Sequence, residues 1–81
     1  MRDIDQVIKA LQRRHPDLRV WADDAGIWLL DIPSALIKVR LESSTGNCPF
    51  LIESSLNPER MNAAGIGEAI NMVSTMLASH G

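Results

Sequence analysis

Apolar residues change their spacing along this chain, and each change marks an element. Ile4, Val7, Ile8 and Leu11 recur at i, i+3, i+4 and i+7, one stripe of an amphipathic helix. Asp3 is placed to cap it, with Gln6 three residues on as the reciprocal half of a capping box. Arg13 and Arg14 suit the negative end of the helix dipole, and Pro16 excludes helical geometry at His15. The spacing predicts a helix over residues 4–14.

From Leu18 the period becomes two: Leu18, Val20 and Ala22 alternate with Arg19, Trp21 and Asp23. Asp23-Asp24-Ala25-Gly26 reads as a type I turn whose glycine takes the left-handed position of a G1 bulge. That loop sets Val20 against Leu30, Arg19 against Asp31 and Trp21 against Leu29. Pro33-Ser34 makes the next turn, and Leu36 to Glu42 forms a third strand with Ile37, Val39 and Leu41 on one face. After a polar loop, Ser43 to Asn47, Phe50 and Ile52 alternate with Leu51 and Glu53 in a fourth strand. Matching inward faces pairs Ile32 with Ile37, Leu30 with Val39, and Val39 with Ile52.

A final helix is expected to open on Asn57 as N-cap, Pro58 at its first position and Glu59 in its first turn. Leu56 and Met61 have the spacing of a hydrophobic staple. Ile66, Ala69, Ile70, Val73, Met76 and Leu77 continue as an apolar stripe, interrupted in propensity by Gly65 and Gly67. Either the segment breaks at those glycines or its backbone lies close against the sheet. The expected fold is α+β: one domain over residues 1–81, ordered α-β-β-β-β-α. A four-stranded antiparallel meander of order 1-2-3-4 carries both helices on one face, a two-layer sandwich.

That architecture leaves the other sheet face without cover. One row across it reads Arg19, Asp31, Lys38, Glu53, alternating in sign at each step, as a structural charge ladder would. Beside it lies Trp21, Leu29, Arg40, Leu51, with Ile27 to one side and Leu36 beyond the ladder. Those six are the interface candidates, because Trp and Arg are enriched in binding hot spots and a contiguous patch would reach roughly 300–500 Å². The fourth strand, Phe50 to Glu53, is expected at the sheet edge, where a partner strand could add.

Composition narrows the partners. The chain has 81 residues, 46% hydrophobic and 22% charged, with a net charge of −2. Seven positive and six negative charges fall in the first forty residues, one and four in the rest, so no basic tail supplies a phosphate-binding field. With one outward aromatic and two cations beside carboxylates, single-stranded nucleic acid is the weaker alternative to a protein partner. A lone Cys48 fits a reducing cytoplasm. The longest bulky apolar run, Ile27 to Leu30, is far too short to span a bilayer.

Catalytic constellations are not found. His15, His80 and Cys48 lack zinc-ligand spacing, and Cys48 shares the inward parity of Phe50. The serines lack a nucleophile elbow, and Gly65-Ile-Gly67 lacks the third glycine of a dinucleotide loop. The expectation is no enzyme, no cofactor and no metal. Instead the chain reads as a protein-interaction module that pairs with itself, as a homodimer, or with another protein.

The opening helix, Leu18-Arg-Val-Trp-Ala-Asp-Asp-Ala-Gly26, Ile27 to Ile32 and Leu36 to Glu42 together resemble class I type III secretion chaperones over about half the chain. That resemblance implies an acidic, dimeric α+β module holding extended peptide segments on an apolar surface. The family's middle dimerisation helix and later strands have no counterpart in the pattern read above.

Overall fold

A computed structural model describes residues 1–23, 25–33 and 37–78. Helix α1, Asp3–Arg14, buries Ile4, Val7 and Leu11, as its apolar stripe predicts. Its amino end is held differently from the expected Asp3–Gln6 box. Arg2 is the N-cap, and Asp5 Oδ2 accepts from the Arg2 N–H at 3.1 Å. Asp3 is engaged elsewhere: its N–H donates to Asn47 Oδ1 at 3.0 Å, and its carboxylate accepts the Cys48 N–H at 2.9 Å. Ile4 N–H donates to the Gly46 carbonyl at 2.9 Å. A tertiary contact thus satisfies N–H groups that the helix itself must leave open.

Five strands follow: β1 Arg19–Ala22, β2 Ile27–Asp31, β3 Lys38–Glu42, β4 Phe50–Ser54 and β5 Asn57–Ala63. They form one antiparallel sheet in the order β1-β2-β3-β4-β5, and helix α2, Ile66–Ala78, closes the chain. The helix and strand order agrees with the sequence reading except for the added fifth strand. Asn57-Pro58-Glu59 resembles a helix start only locally. Beyond it Arg60, Met61, Asn62 and Ala63 alternate polar with apolar, which suits a strand. Pro58 is tolerated because β5 lies at the sheet edge. The expected edge role of Phe50 to Glu53 is therefore corrected: β4 lies between β3 and β5, and the edges are β1 and β5.

The break between strand and helix comes at Gly65, whose carbonyl accepts the first helical N–H, from Ala69, at 3.1 Å. Glu68 reaches back to the Ala64 N–H at 3.0 Å. A Cβ at Gly65 or Gly67 would meet nothing within 4 Å, so neither glycine marks a close approach to the sheet.

The β1–β2 register is the predicted one, with Arg19 opposite Asp31, Val20 opposite Leu30 and Trp21 opposite Leu29. Leu30 also faces Val39 as expected. Gly26 has φ +79°, and Asp23 Oδ1 accepts from the Ala25 and Ile27 N–H groups at 2.8 and 3.2 Å. The β3–β4 register is two residues from the expected one: Val39 faces Ser54, not Ile52, which instead faces Leu41. A slip of two keeps every side chain on its face, so the apolar pattern cannot choose between the two registers. Polar contacts decide it. Ser55 N–H donates to the Lys38 carbonyl at 2.9 Å, and Lys38 N–H donates to Ser55 Oγ at 3.0 Å.

Trp28, Leu30, Val39, Leu41, Phe50, Ile52 and Ala63 point to the same side of the sheet and form one core with the buried residues of both helices. Both helices therefore cover one face, giving two layers. No helix among the described residues is long and apolar enough to cross a membrane.

Two glycines yield opposite expectations. Besides its left-handed backbone, Gly26 has Ser43 O only 2.5 Å from where a Cβ would stand. Gly26→Ala should cost about 2 kcal/mol or more, as strain and clash add. Gly67→Ala, in the open first turn of α2, should stabilise by a few tenths to about 1 kcal/mol. Urea denaturation of the two variants checks both signs.

Candidate interaction face

Side chains pointing away from the core compose three rows across the sheet. Arg19, Asp31 and Lys38 form the first, and it continues to Ser55 rather than Glu53. Trp21, Leu29, Arg40 and Glu53 form the second. Ile27, Glu42, Leu51 and Asn62 form the third. The predicted ladder thus holds for its first three members and fails at the fourth, because the two-residue slip carries Glu53 to Arg40. The same slip moves Leu51 out of the row of Trp21 and beside Glu42. Leu36 lies outside the described residues.

Each carboxylate in the first two rows is bound. Asp31 takes both ends of the Arg19 guanidinium, Nε to Oδ1 at 3.0 Å and Nη2 to Oδ2 at 2.8 Å. Arg19 also stands over the Trp21 ring, 5.6 Å from its centroid. Under this pair Asp31 is only 5% exposed, although it belongs to the outer face. Glu53 accepts from Arg40 Nη1 at 2.9 Å and lies 3.6 Å from Arg60 Nε, while Arg40 Nη2 is 3.9 Å from Glu42. Arg60 escapes the sequence reading because Asn57-Pro58-Glu59 carries the local chemistry of a helix start. The same reading misses the burial of Asp31, for which the signal is a Trp two residues from an Arg on the same strand face.

Apolar area remains open between these pairs. Trp21 is 54% exposed, Leu29 41% and Leu51 39%, with Ile27 half-buried. Trp21, Leu29, Leu30, Asp31 and Lys38 line a concavity of about 150 Å³. A second, of about 250 Å³, is lined by Leu29, Lys38, Arg40, Glu53, Ser54 and Ser55. Lys38 and Leu29 border both. Among the described residues no carboxylate lies within ion-pair distance of Lys38, the one such cation in these rows.

No group of three or more His, Cys, Asp or Glu that could hold a metal occurs among the described residues. Cys48 sits at the α1 end of the β3–β4 loop, half-buried. Desolvation pushes its thiol above the usual range, and the Asp3 carboxylate beside it pushes the same way. Comparison with family models, curated proteins and solved structures finds no match for this chain.

Two expectations come from this geometry. Arg19→Met, which strands the buried Asp31 carboxylate, should lose about 1–2 kcal/mol, less than a fully buried pair because Arg19 is half exposed. Adding Asp31→Leu should restore much of that loss, since the stranded charge is gone; chemical denaturation of both variants measures it. A raised pKa leaves less thiolate at neutral pH, so Cys48 should alkylate with iodoacetamide more slowly at pH 8 than free cysteine. Asp3→Asn, which removes the neighbouring negative charge, should quicken it.

Proposed function

We propose that this chain is a small protein-interaction module whose working surface is the outer face of its sheet. It acts in the cytoplasm, without catalysis, and binds a protein partner there while associating weakly with itself. The observation that carries the reading is exposed Trp21, Leu29 and Leu51 on a sheet face opposite both helices. Large apolar side chains grouped on one face are the usual mark of an interaction surface, and Trp is the residue most enriched at hot spots. Support for a nucleic-acid surface is weaker. Trp21 is the single exposed aromatic among the described residues, and Arg19, Arg40 and Arg60 each sit on a carboxylate.

Sedimentation equilibrium tests the reading. At high micromolar concentration the wild type should show a mass rising above 8.9 kDa with concentration. Trp21→Ser and Leu29→Ser should each hold it closer to the monomer. The same concentration-independent monomer mass for all three proteins would remove self-association through this face.

A further inference from the structure

Lys38 stands apart from the other cations of the outer rows. Arg19 and Asp31 neutralise each other, and Arg40, Glu42, Glu53 and Arg60 form a cluster with equal numbers of both signs. Among the described residues the uncompensated charge of these rows is therefore that of Lys38, an exposed residue bordering both concavities. On one side lies a recess walled by Trp21 and Leu29, whose carboxylate, Asp31, is already occupied on both oxygens. Its 150 Å³ matches the size of cavity that takes a benzene-sized apolar group.

We propose that this recess and Lys38 together take an extended peptide segment of a protein partner, carrying a bulky apolar residue and, two positions on, an acidic one. The proposal rests on the outer face being the working surface. An apolar side chain fills the recess against Trp21 and Leu29, and the carboxylate meets the Lys38 ammonium. Alternate residues of an extended chain fall on the same side about 6.6–6.8 Å apart, so one segment presents both groups to the sheet. The second concavity shares Leu29 and Lys38 with the first and carries the hydroxyl residue Ser55 on its wall. A peptide rather than a lone small molecule is favoured because the two recesses share Leu29 and Lys38, and one small group would fill only the first.

The probe is acetyl-Gly-Leu-Ser-Glu-Gly-amide, followed by two-dimensional ¹H–¹⁵N spectra in which the two indole N–H signals are resolved. Trp21 should shift saturably, while buried Trp28 on the opposite face stays in place. Replacing the peptide's Glu by Gln should weaken binding about two- to fivefold, the range of an exposed ion pair. Replacing its Leu by Ala should weaken it further. In the Lys38→Gln protein the Glu and Gln peptides should bind alike, with the Trp21 shift retained. An unmoved Trp21 signal at millimolar peptide, or equal wild-type affinity for the Glu and Gln peptides, overturns the proposal. If peptide fails while Trp21→Ser still lowers the sedimentation mass, the segment is wrong and the surface stands. If neither responds, both fall.

Discussion

The amino end of α1 ends in the loop between β3 and β4, and the rest of the fold depends on that contact. The Asp3 and Ile4 N–H groups donate into Asn47 and Gly46, and the Asp3 carboxylate takes the Cys48 N–H. Forty-five residues separate Asp3 from Cys48, so the contact closes a large loop for which local sequence offers no substitute. The other end of the same loop meets the first hairpin, where Ser43 N–H donates to the Gly26 carbonyl at 2.9 Å. Among the described residues, both positive-φ glycines lie at these junctions, Gly26 against Ser43 and Gly46 against the Arg2 side chain. Close backbone approach fixes how hairpin and loop meet at Gly26, while the Asp3 and Asn47 side chains help hold helix to loop.

With α1 anchored there and packed beside α2, both helices cover the face that carries Leu30, Val39, Leu41, Phe50 and Ile52. The opposite face is stabilised differently. Its ion pairs are part-exposed, and such pairs contribute about 0–1 kcal/mol each. Their larger effect is positional. Arg19 is fixed by two hydrogen bonds and the Trp21 ring, and Arg40 by Glu53 and Glu42. Long side chains held in place do not lose that freedom again on binding, so the apolar residues between them sit on a preorganised surface.

Much of this was legible in the residues. Helical spacing located α1 and the body of α2, and the Asp23–Gly26 turn set the first hairpin, because in both cases the deciding signals lie within a few residues. What escaped depends on distant partners. Asp3 and Gln6 make a sound local capping box, yet the loop at Asn47 and Cys48 offered Asp3 more. Asn57-Pro58-Glu59 has helix-start chemistry, but Met61 and Ala63 pair with Ile52 and Phe50 in the sheet. Of the six interface candidates, Trp21, Leu29, Arg40 and Ile27 occupy the outer face as expected, and Leu51 shares it one row away.

The register between β3 and β4 bears directly on the proposed function. Alternating signs make Lys38 opposite Glu53 an attractive inference, and that register would pair Lys38 and deprive Arg40, in the row of Trp21, of Glu53. The fold takes the other solution with the same apolar pattern. Glu53 goes to Arg40, where Arg60 from β5 adds a second cation, so the carboxylate has two partners instead of one. The fifth strand thus bears on the choice: β5 places Arg60 beside Glu53, and Ser55 takes the place opposite Lys38, donating its N–H to the Lys38 carbonyl and accepting the Lys38 N–H at its hydroxyl. Lys38 is left as an exposed residue at the rim of an apolar recess. A lysine there serves no ion pair among the described residues, and a carboxylate from outside the chain would supply the pairing that the other cations of these rows already have.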